Sequence, residues 1–277
     1  MRAQPIMAAP AYLEFFGRWV MNLGLSGRTA LVCASTGGLG EAIARTLAEE
    51  GANTVICGRR AGRAKEIAAS LPSAIGVDVD LLSENGPAEL VSATVDAFGP
   101  PDILVLNGPG PRPAPATAID TDDVDVALGG LLRQHIRLVS QALPAMRAGG
   151  WGRILAVGSS GVTAPLPNLA LSNLGRAALA GYLKTLAAEV AADGVTVNLL
   201  LPGRIRTDRT AAVDAANAER SGRSVAEVEQ ASVATIPAGR YGRPAEFAAA
   251  AAFLCSGPAS YITGTALRCD GGLVRSL

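Results

Sequence analysis

The sequence has no excess of charge of either sign and few aromatic residues, histidines and cysteines. Its 24 basic and 24 acidic residues balance, which removes the general attraction that nucleic acid or an anionic membrane would exert. Aromatic residues make up 4% of the 277 residues, too few for a surface that stacks bases. With one histidine and four scattered cysteines, we expect no metal site and a reduced, cytoplasmic environment.

A long hydrophobic run is also absent. No stretch reaches the roughly 18 apolar residues of a membrane span, and Glu14 and Arg18 interrupt the apolar part of residues 1–20. We interpret residues 1–20 as an N-terminal arm, or as an upstream extension, because Met21 begins a natural opening. The chain shows no internal repeat and no linker rich in Pro, Gly or Ser. We therefore expect one domain, residues 21–277.

Apolar residues, by contrast, make up 49% of the chain, and from Arg28 onwards β-rich runs alternate with alanine-rich stretches. The predicted strands are residues 29–34, 54–57, 74–77, 103–106, 153–157, 195–200 and 266–268. The predicted helices are residues 39–50, 61–70, 83–98, 121–147, 171–192 and 244–255. Strands that are continuously apolar, alternating with helices, are typical of an α/β, doubly wound parallel sheet with helices on both faces. Residues 203–241 break the alternation, with a polar helix over 211–230, and we interpret them as a lid.

The first strand runs directly into a glycine-rich turn, residues 35–40, with the sequence Ser-Thr-Gly-Gly-Leu-Gly. Glycines let the backbone approach a diphosphate, and the following helix offers unpaired N–H groups and the positive end of its dipole. A turn of this kind between the first strand and the first helix predicts a dinucleotide site.

The end of the second strand indicates which dinucleotide is bound. NAD-preferring enzymes usually carry an acidic residue there, whereas this strand is followed by Arg59 and Arg60. A guanidinium suits a 2′-phosphate, so we expect NADP(H) rather than NAD(H), with Arg59 ranked before Arg60. The alternative is that both arginines simply begin a solvated helix. Asp78, after the third strand, could accept a hydrogen bond from the adenine amino group.

Eight ordered motifs carry a resemblance to a known family. They are ASTGGLG at 34–40, DILVLNG at 102–108, GSS at 158–160, VTVN at 195–198, PG at 202–203, GRP-x-E at 242–246, ITG at 262–264 and DGG at 270–272. With them, residues 21–277 resemble the short-chain dehydrogenase/reductase superfamily, especially its 3-oxoacyl-carrier-protein-reductase-like branch. The resemblance implies a Rossmann-type fold, a nicotinamide cofactor and a homodimer or homotetramer.

Together with the arginines, the resemblance gives a set of expected cofactor-binding residues. They are Ser35, Thr36, Gly38, Leu39, Gly40, Arg59, Arg60, Asp78, Val79, Asn107, Gly108, Arg176, Pro202, Gly203, Ile205 and Thr207. Of these, Thr207 matches a position that often contacts the cofactor amide. One departure lies in the turn itself, where Ala34 replaces the family's first glycine; we expect this to be tolerated if φ stays negative.

The larger departure lies in the expected catalytic residues, Ser159, Ser172 and Arg176. The family has a serine, then twelve residues, then Tyr-x-x-x-Lys; here Ser159 is in register, but Ser172 and Arg176 occupy the tyrosine and lysine positions. The family's helix asparagine falls at Leu131. A serine hydroxyl is far less acidic than a phenol, and an arginine does not lose its proton. Since losing a general acid forfeits about 10²–10⁴ in rate, we expect a slow reaction rather than none.

Several other groups could supply the proton or orient a water. His135 lies one helical turn after Leu131 and titrates near neutral pH, although a lone helix histidine is more often a packing residue. Tyr182 and Tyr241 are weaker alternatives. Ser159, Ser160 and Ser172 could polarise a carbonyl, and Asn107 or Asn173 could orient a water.

Three functions follow. The first is an NADP(H)-dependent oxidoreductase acting on a carbonyl/alcohol pair, and the second is a non-redox isomerase, dehydratase or cyclase. The third is a cofactor-binding protein without turnover. We expect a small-molecule substrate and neither nucleic acid nor a membrane as partner. The expected pocket is bounded by residues 109–115, 162–169 and the lid, where Arg204, Arg206 and Arg209 would suit an anionic substrate.

Overall fold

One parallel sheet organises the described residues, which are 21–60 and 62–276 of a computed structural model. The strands are β1 (Thr29–Val32), β2 (Asn53–Gly58), β3 (Ala74–Asp78), β4 (Ile103–Leu106), β5 (Gly152–Val157), β6 (Val195–Pro202) and β7 (Ala266–Cys269). Their order in the sheet is β3-β2-β1-β4-β5-β6-β7. The order reverses between β1 and β4, which pair in parallel with Leu31 beside Leu104. This reversal is the switch point at which doubly wound folds bind ligands.

Helices connect the strands. They are α1 (Gly38–Glu49), α2 (Arg63–Ala69), α3 (Gly86–Phe98), α4 (Thr121–Leu128), α5 (Gln134–Ala148), α6 (Ala170–Val190), α7 (Asp208–Ser221), α8 (Val225–Ala234) and α9 (Pro244–Leu254). Within the described residues, none of them is both long and apolar enough to cross a membrane. The expected N-terminal arm, residues 1–20, lies outside the described residues.

The hydrophobic core is divided between the two faces of the sheet. Leu104 packs in a cluster with residues of α3, α5 and α6, whereas its neighbour Val105 packs in a second cluster with residues of α1, α2 and α9. Because adjacent residues of a strand point to opposite faces, each central strand must be apolar throughout. The sheet is therefore the two-faced α/β architecture that the continuous apolar runs predict.

The predicted helix over residues 121–147 is not one regular helix. The segment Gly129–Arg133 forms a wide π turn between α4 and α5. Two consecutive glycines begin that turn, and a residue without a side chain accommodates an irregular backbone most easily. The turn brings Leu131 against α6: a Cβ on Gly175 would lie 2.7 Å from the Leu131 side chain.

The predicted helix over residues 211–230 is wrong, because two helices, α7 and α8, replace it. Gly222 ends α7 in the left-handed conformation, with φ of +66°. Ser224 then begins α8 with a capping box: its backbone N–H donates to Glu227 Oε2 at 2.8 Å, and its Oγ accepts from the Glu227 N–H at 3.3 Å. A glycine that ends one helix and a serine that caps the next therefore separate α7 from α8. The polar composition of the segment alone does not show this division.

Candidate functional site

The glycine loop between β1 and α1 is tied to the neighbouring strand. The Ser35 hydroxyl donates to the Val32 carbonyl at 2.7 Å and accepts from the Cys57 N–H at 2.9 Å. Gly40 lies so close to the loop that a Cβ there would be 2.8 Å from the Asn107 side-chain nitrogen. The loop backbone therefore sits tightly between β2 and the end of β4, and glycine is required at position 40.

Ala34 adopts a conformation that differs from the one expected. We expected alanine to be tolerated there with a negative φ, but its φ is +47°, in the left-handed region that favours glycine. Its carbonyl accepts a hydrogen bond from the Asn107 amide at 3.3 Å. The alanine substitution therefore leaves the turn in its glycine-like shape at the cost of strain.

The amino terminus of α1 fits the diphosphate of a dinucleotide. Its N-cap residue, Gly37, makes no side-chain cap, whereas Asp120 and Ser224 cap α4 and α8 with their own oxygens. The N-cap residue of α1 therefore gives its first N–H groups no side-chain acceptor. Unpaired N–H groups at the positive end of a helix dipole bind phosphate oxygens.

Of the two arginines after β2, Arg60 is the one that contacts the glycine loop. Its guanidinium donates to the backbone carbonyl and the hydroxyl of Thr36, and a Cβ on Gly37 would lie 2.6 Å from Arg60 Nη2. Arg59 is exposed and makes no ion pair or hydrogen bond within the described residues. The sequence ranked Arg59 first, whereas the structure brings Arg60 to the loop.

The residues after β3 adjoin this same turn. Asp78 is the last residue of β3, and its Oδ2 accepts from the Gly62 N–H at 3.2 Å. The Val79 N–H donates to the Gly58 carbonyl at 3.1 Å. Both residues expected at the adenine end therefore lie beside the strand end that carries the arginines.

The start of the lid lies on the other side of the glycine loop. A Cβ on Gly38 would lie 3.9 Å from the Thr207 side chain, so Thr207 reaches the loop. Pro202 ends β6, and a Cβ on Gly203 would meet the Asp270 backbone at 2.7 Å. Ile205 is buried and bridges to Gly242. These residues form the wall opposite the loop.

Arg176 lies at the carboxyl end of β5. Its Nη1 donates to the carbonyls of Val157 at 2.7 Å and Gly158 at 3.0 Å. Burial, followed by the charge of Arg209, lowers the pKa of Arg176 to about 10. Arg176 therefore remains a cation at neutral pH, and no carboxylate pairs with it within the described residues.

Two serine hydroxyls near Arg176 are available as donors. Ser159 Oγ accepts from the Gly161 N–H at 3.1 Å, which leaves its own O–H free. Ser172, in the first turn of α6, has no hydrogen-bond partner within the described residues. Ser160 is buried, so its hydroxyl is less accessible.

Asn173 has a structural role that the sequence did not reveal. Its Nδ2 donates to the Leu166 carbonyl at 2.9 Å, and its Oδ1 accepts from the Leu166 N–H at 3.3 Å. Both ends of the amide thus fasten the loop that bounds the expected pocket. The expectation that Asn173 orients a water is not supported, because the amide is already engaged.

His135 is buried, with one nitrogen paired and one unpaired. Its Nδ1 lies 2.9 Å from the Leu131 carbonyl, and since a carbonyl only accepts, Nδ1 carries the proton. Its Nε2 has no partner within the described residues and lies 3.9 Å from a Cβ position on Gly108. Burial lowers the pKa of His135 more than the hydrogen bond to the Leu131 backbone raises it, and the charge of Arg176 lowers it further. The imidazole is thus neutral at pH 7 and offers an acceptor, not a donor.

Gln134 is a neighbour of this site that the sequence analysis missed. Its Oε1 is buried without a partner within the described residues, and its Nε2 lies 3.1 Å from the Cβ position on Gly108. The sequence gives little indication that Gln134 lies at the site, because a glutamine beside a histidine is common on helices. The Nε2 atoms of Gln134 and His135 both lie near the Cβ position on Gly108, and the Gln134 Nε2 donates to the Gly130 carbonyl.

The two tyrosines considered as proton donors lie elsewhere. Tyr241 is buried, and its hydroxyl donates to Asp214 Oδ2 at 2.9 Å. Tyr182 packs against the core cluster on the α6 face of the sheet, where burial, followed by Glu189, raises its pKa. Tyr261 is fully exposed. Within the described residues, no tyrosine therefore occupies the position beside Ser159 and Arg176.

Comparisons with known proteins agree with this architecture. Residues 33–274 match the family model described as enoyl-(acyl carrier protein) reductase. The chain is 34% identical over 262 residues to a 3-oxoacyl-[acyl-carrier-protein] reductase from Aquifex aeolicus, which covers 91% of this chain and 100% of that protein.

Two solved structures are similar over nearly the whole chain. An L-sorbose reductase from Gluconobacter frateurii, complexed with NADPH and L-sorbose, is 32% identical with a TM-score of 0.88, covering 93% of this chain and 100% of that one. A 7α-hydroxysteroid dehydrogenase complexed with NADH is 28% identical with a TM-score of 0.83, covering 92% and 98%. One of these neighbours carries NADPH and the other NADH, so the choice of cofactor depends on local residues.

Proposed function

Because the chain belongs to the short-chain dehydrogenase/reductase superfamily, we propose that it is an NADP(H)-dependent oxidoreductase that acts on a carbonyl/alcohol pair by an unusual proton path. The observation that carries the cofactor choice is the position of Arg60 on the glycine loop. A guanidinium at that place supplies a permanent charge and a planar set of donors for a 2′-phosphate. No acidic side chain follows β2, where an NAD-preferring enzyme would carry one.

Each part of the cleft has a proposed role in holding the cofactor. The uncapped amino terminus of α1 would bind the diphosphate, and Asp78 and Val79 would line the adenine end. Thr207, Ile205 and Asn107 would line the nicotinamide end. When bound, the nicotinamide supplies or accepts the hydride.

The chain's own residues would then act on the substrate oxygen. The free O–H groups of Ser159 and Ser172 would donate to a carbonyl oxygen and polarise it. Arg176, held by two backbone carbonyls, would keep its positive charge near that oxygen but would not release a proton. The proton that reaches the oxygen in reduction would therefore come from water. This differs from the tyrosine-dependent path of the family, and it predicts a low rate.

A specific observation also favours the third of the functions considered, a cofactor-binding protein without turnover. Leu131 fills the space beside Gly175, and no phenol lies at the site within the described residues. The missing phenol removes the family's proton donor, Leu131 stands where the family's asparagine is expected, and neither change disturbs the glycine loop. Such a protein would bind NADPH and show no hydride transfer to any carbonyl compound.

The experiment that tests the proposal is a fluorescence titration of the full chain with NADPH and with NADH. We expect NADPH to bind more tightly, and Arg60→Gln to weaken NADPH about tenfold or more while NADH changes little, as for a lost charge-assisted hydrogen bond. Arg59→Gln is the matched control, because it removes the same charge one residue away. If Arg59→Gln weakens NADPH binding more than Arg60→Gln does, Arg59 is the residue that binds the 2′-phosphate.

Three outcomes separate the candidates. The absence of NADPH binding at millimolar concentration would overturn the nucleotide assignment. Binding with no loss of NADPH absorbance across a panel of ketones and aldehydes would favour the protein without turnover. Formation of a product by cofactor-free protein would instead support non-redox chemistry.

The assembly and the lid are part of the proposal. We propose that the protein forms a homodimer or homotetramer, as the family resemblance implies, and sedimentation analysis would test this. Residues 203–241 are proposed to close over the cleft as a lid. Limited proteolysis with and without NADPH would test closure, with protection of this segment as the expected result.

A further inference from the structure

The lid begins with three arginines, and two of them are neutralised by carboxylates. Arg204 Nη2 lies 2.7 Å from Asp214 Oδ1, and Arg206 Nη2 lies 2.7 Å from Glu229 Oε1. The third, Arg209, has no acidic partner and no hydrogen bond within the described residues. Position alone does not distinguish the three, because all lie within six residues of one another.

Arg209 extends across the cleft. It is the second residue of α7, and its guanidinium lies against the loop after β4, where a Cβ on Gly110 would be 2.8 Å from the Arg209 Cζ. Thr207, two residues earlier, reaches Gly38 on the glycine loop. The start of the lid therefore touches both sides of the switch point, and Arg209 contributes the charge at one of these contacts.

A second cation without a carboxylate partner lies below it. Arg176 donates only to the carbonyls of Val157 and Gly158, and it is close enough to Arg209 for that charge to lower its pKa further, beyond the effect of burial. Arg176 is partly buried whereas Arg209 is exposed, so solvent screens part, but not all, of the repulsion between the two guanidiniums. An anionic ligand would remove this repulsion and use donors that are otherwise unused.

We propose that Arg209, with Arg176, binds an anionic oxygen group in the cleft between the lid and the loop after β4. The group is either the diphosphate of the cofactor or a carboxylate of the substrate, and both present charged oxygens to the same donors. Arg204 and Arg206 are excluded from this role because their own carboxylates hold them. The inference rests on the proposed function, since it assigns a ligand to the cleft in which the dinucleotide is proposed to bind.

The test compares Arg209→Gln with Arg206→Gln, a matched control in the same segment that loses the same charge. In the first arm, NADPH affinity is measured by titration at low and high salt. If the diphosphate is the anion, Arg209→Gln weakens NADPH about tenfold and reduces its salt dependence, whereas Arg206→Gln changes neither. Arg209→Lys, which keeps the charge, retains part of the affinity.

In the second arm, malonate is titrated into the NADP⁺-loaded protein by calorimetry, with the neutral diamide malonamide as control. If a substrate carboxylate is the anion, wild type binds malonate in preference to malonamide, and Arg209→Gln loses this preference while keeping its NADPH affinity. The proposal would be overturned if Arg206→Gln also lost the preference for malonate. It would likewise be overturned if Arg209→Gln behaved like wild type in both arms.

A failure of the proposed function can be distinguished from a failure of the anion site. If wild type does not bind NADPH, pyrophosphate and malonate are titrated into the cofactor-free protein. Binding that depends on Arg209 would then support the anion site without the dinucleotide. Binding of neither probe would overturn the anion site as well.

Discussion

The side-chain amide of Asn107 donates a hydrogen bond of 3.3 Å to the carbonyl of Ala34, which has a left-handed backbone with φ of +47°. A side chain with a Cβ in this conformation costs about 1–2 kcal/mol relative to an ordinary conformation. The turn keeps that conformation because Asn107 holds the Ala34 carbonyl and the hydroxyl of the next residue, Ser35, accepts from the Cys57 N–H in β2. The strain is thus located at the mouth of the proposed cofactor site.

Ala34→Gly is expected to stabilise the protein. Glycine removes the left-handed strain but adds freedom to the unfolded chain, so the net gain in the free energy of unfolding is about 0.5–1 kcal/mol. Urea denaturation would measure it. Ala216→Gly, in the exposed interior of α7, is the control and should lower stability by about 1 kcal/mol. Equal destabilisation by both substitutions would show that Ala34 is not strained.

The hydroxyl of Tyr241 fastens the lid rather than serving as a proton donor. Tyr241→Phe removes its hydrogen bond to buried Asp214 but keeps the ring, over which the Arg204 guanidinium lies 5.5 Å from the centroid. We expect the free energy of unfolding to fall by about 2 kcal/mol, as for a hydrogen bond to a charged group. Thermal or urea unfolding measures this. Tyr261→Phe, on a fully exposed ring, should change nothing.

The fold could be predicted from the sequence because its signals are local and repeated. Each central strand is an apolar run buried on both faces, so all seven strands lie within the predicted segments or within a few residues of them. The errors fall where the backbone leaves regular geometry. The first strand ends at Val32 instead of residue 34 because Ala34 turns left-handed, and Gly222 divides a polar helix in two.

The candidate site was predicted less completely because its partners are distant in the chain. The sequence shows three arginines after β6, but not that Asp214 and Glu229 neutralise two of them. It shows two arginines after β2, but the contact of Arg60 with Thr36 depends on how the chain turns there. Pairings between side chains 10 to 24 residues apart depend on tertiary packing, which residue types alone do not specify.

The free energy of unfolding should depend on pH near the pKa of an imidazole because of His135, the single histidine in the sequence. Burial holds the folded pKa of His135 below the ordinary imidazole value of about 6.5, so the unfolded chain binds more protons in that range. Stability therefore falls as pH decreases through about 6.5, with a limiting slope of about 1.4 kcal/mol per pH unit. The measurement is urea unfolding at several values between about pH 5.5 and 7. In His135→Gln this slope should be largely lost; an unchanged slope would mean that His135 is not its source.

Ser172→Tyr combined with Arg176→Lys should restore a proton donor at the proposed site. A phenol titrates near 10, and a neighbouring ammonium brings its pKa towards neutral, so the tyrosine can protonate the substrate oxygen. We expect reduction of simple ketones by NADPH to rise by about 10²–10⁴, the usual contribution of a general acid. Loss of NADPH absorbance under saturating cofactor measures the rate.

The matched control is Ser172→Phe with Arg176→Lys, which adds the same ring without the hydroxyl. If the tyrosine variant exceeds wild type and the phenylalanine variant does not, the gain belongs to the phenolic proton and the remaining cleft is competent for hydride transfer. If both variants bind NADPH and neither reduces ketones faster than wild type, the missing phenol is not what limits the reaction. In that case Leu131, which fills the space beside Gly175, becomes the next residue to replace, because it stands where the family's asparagine is expected.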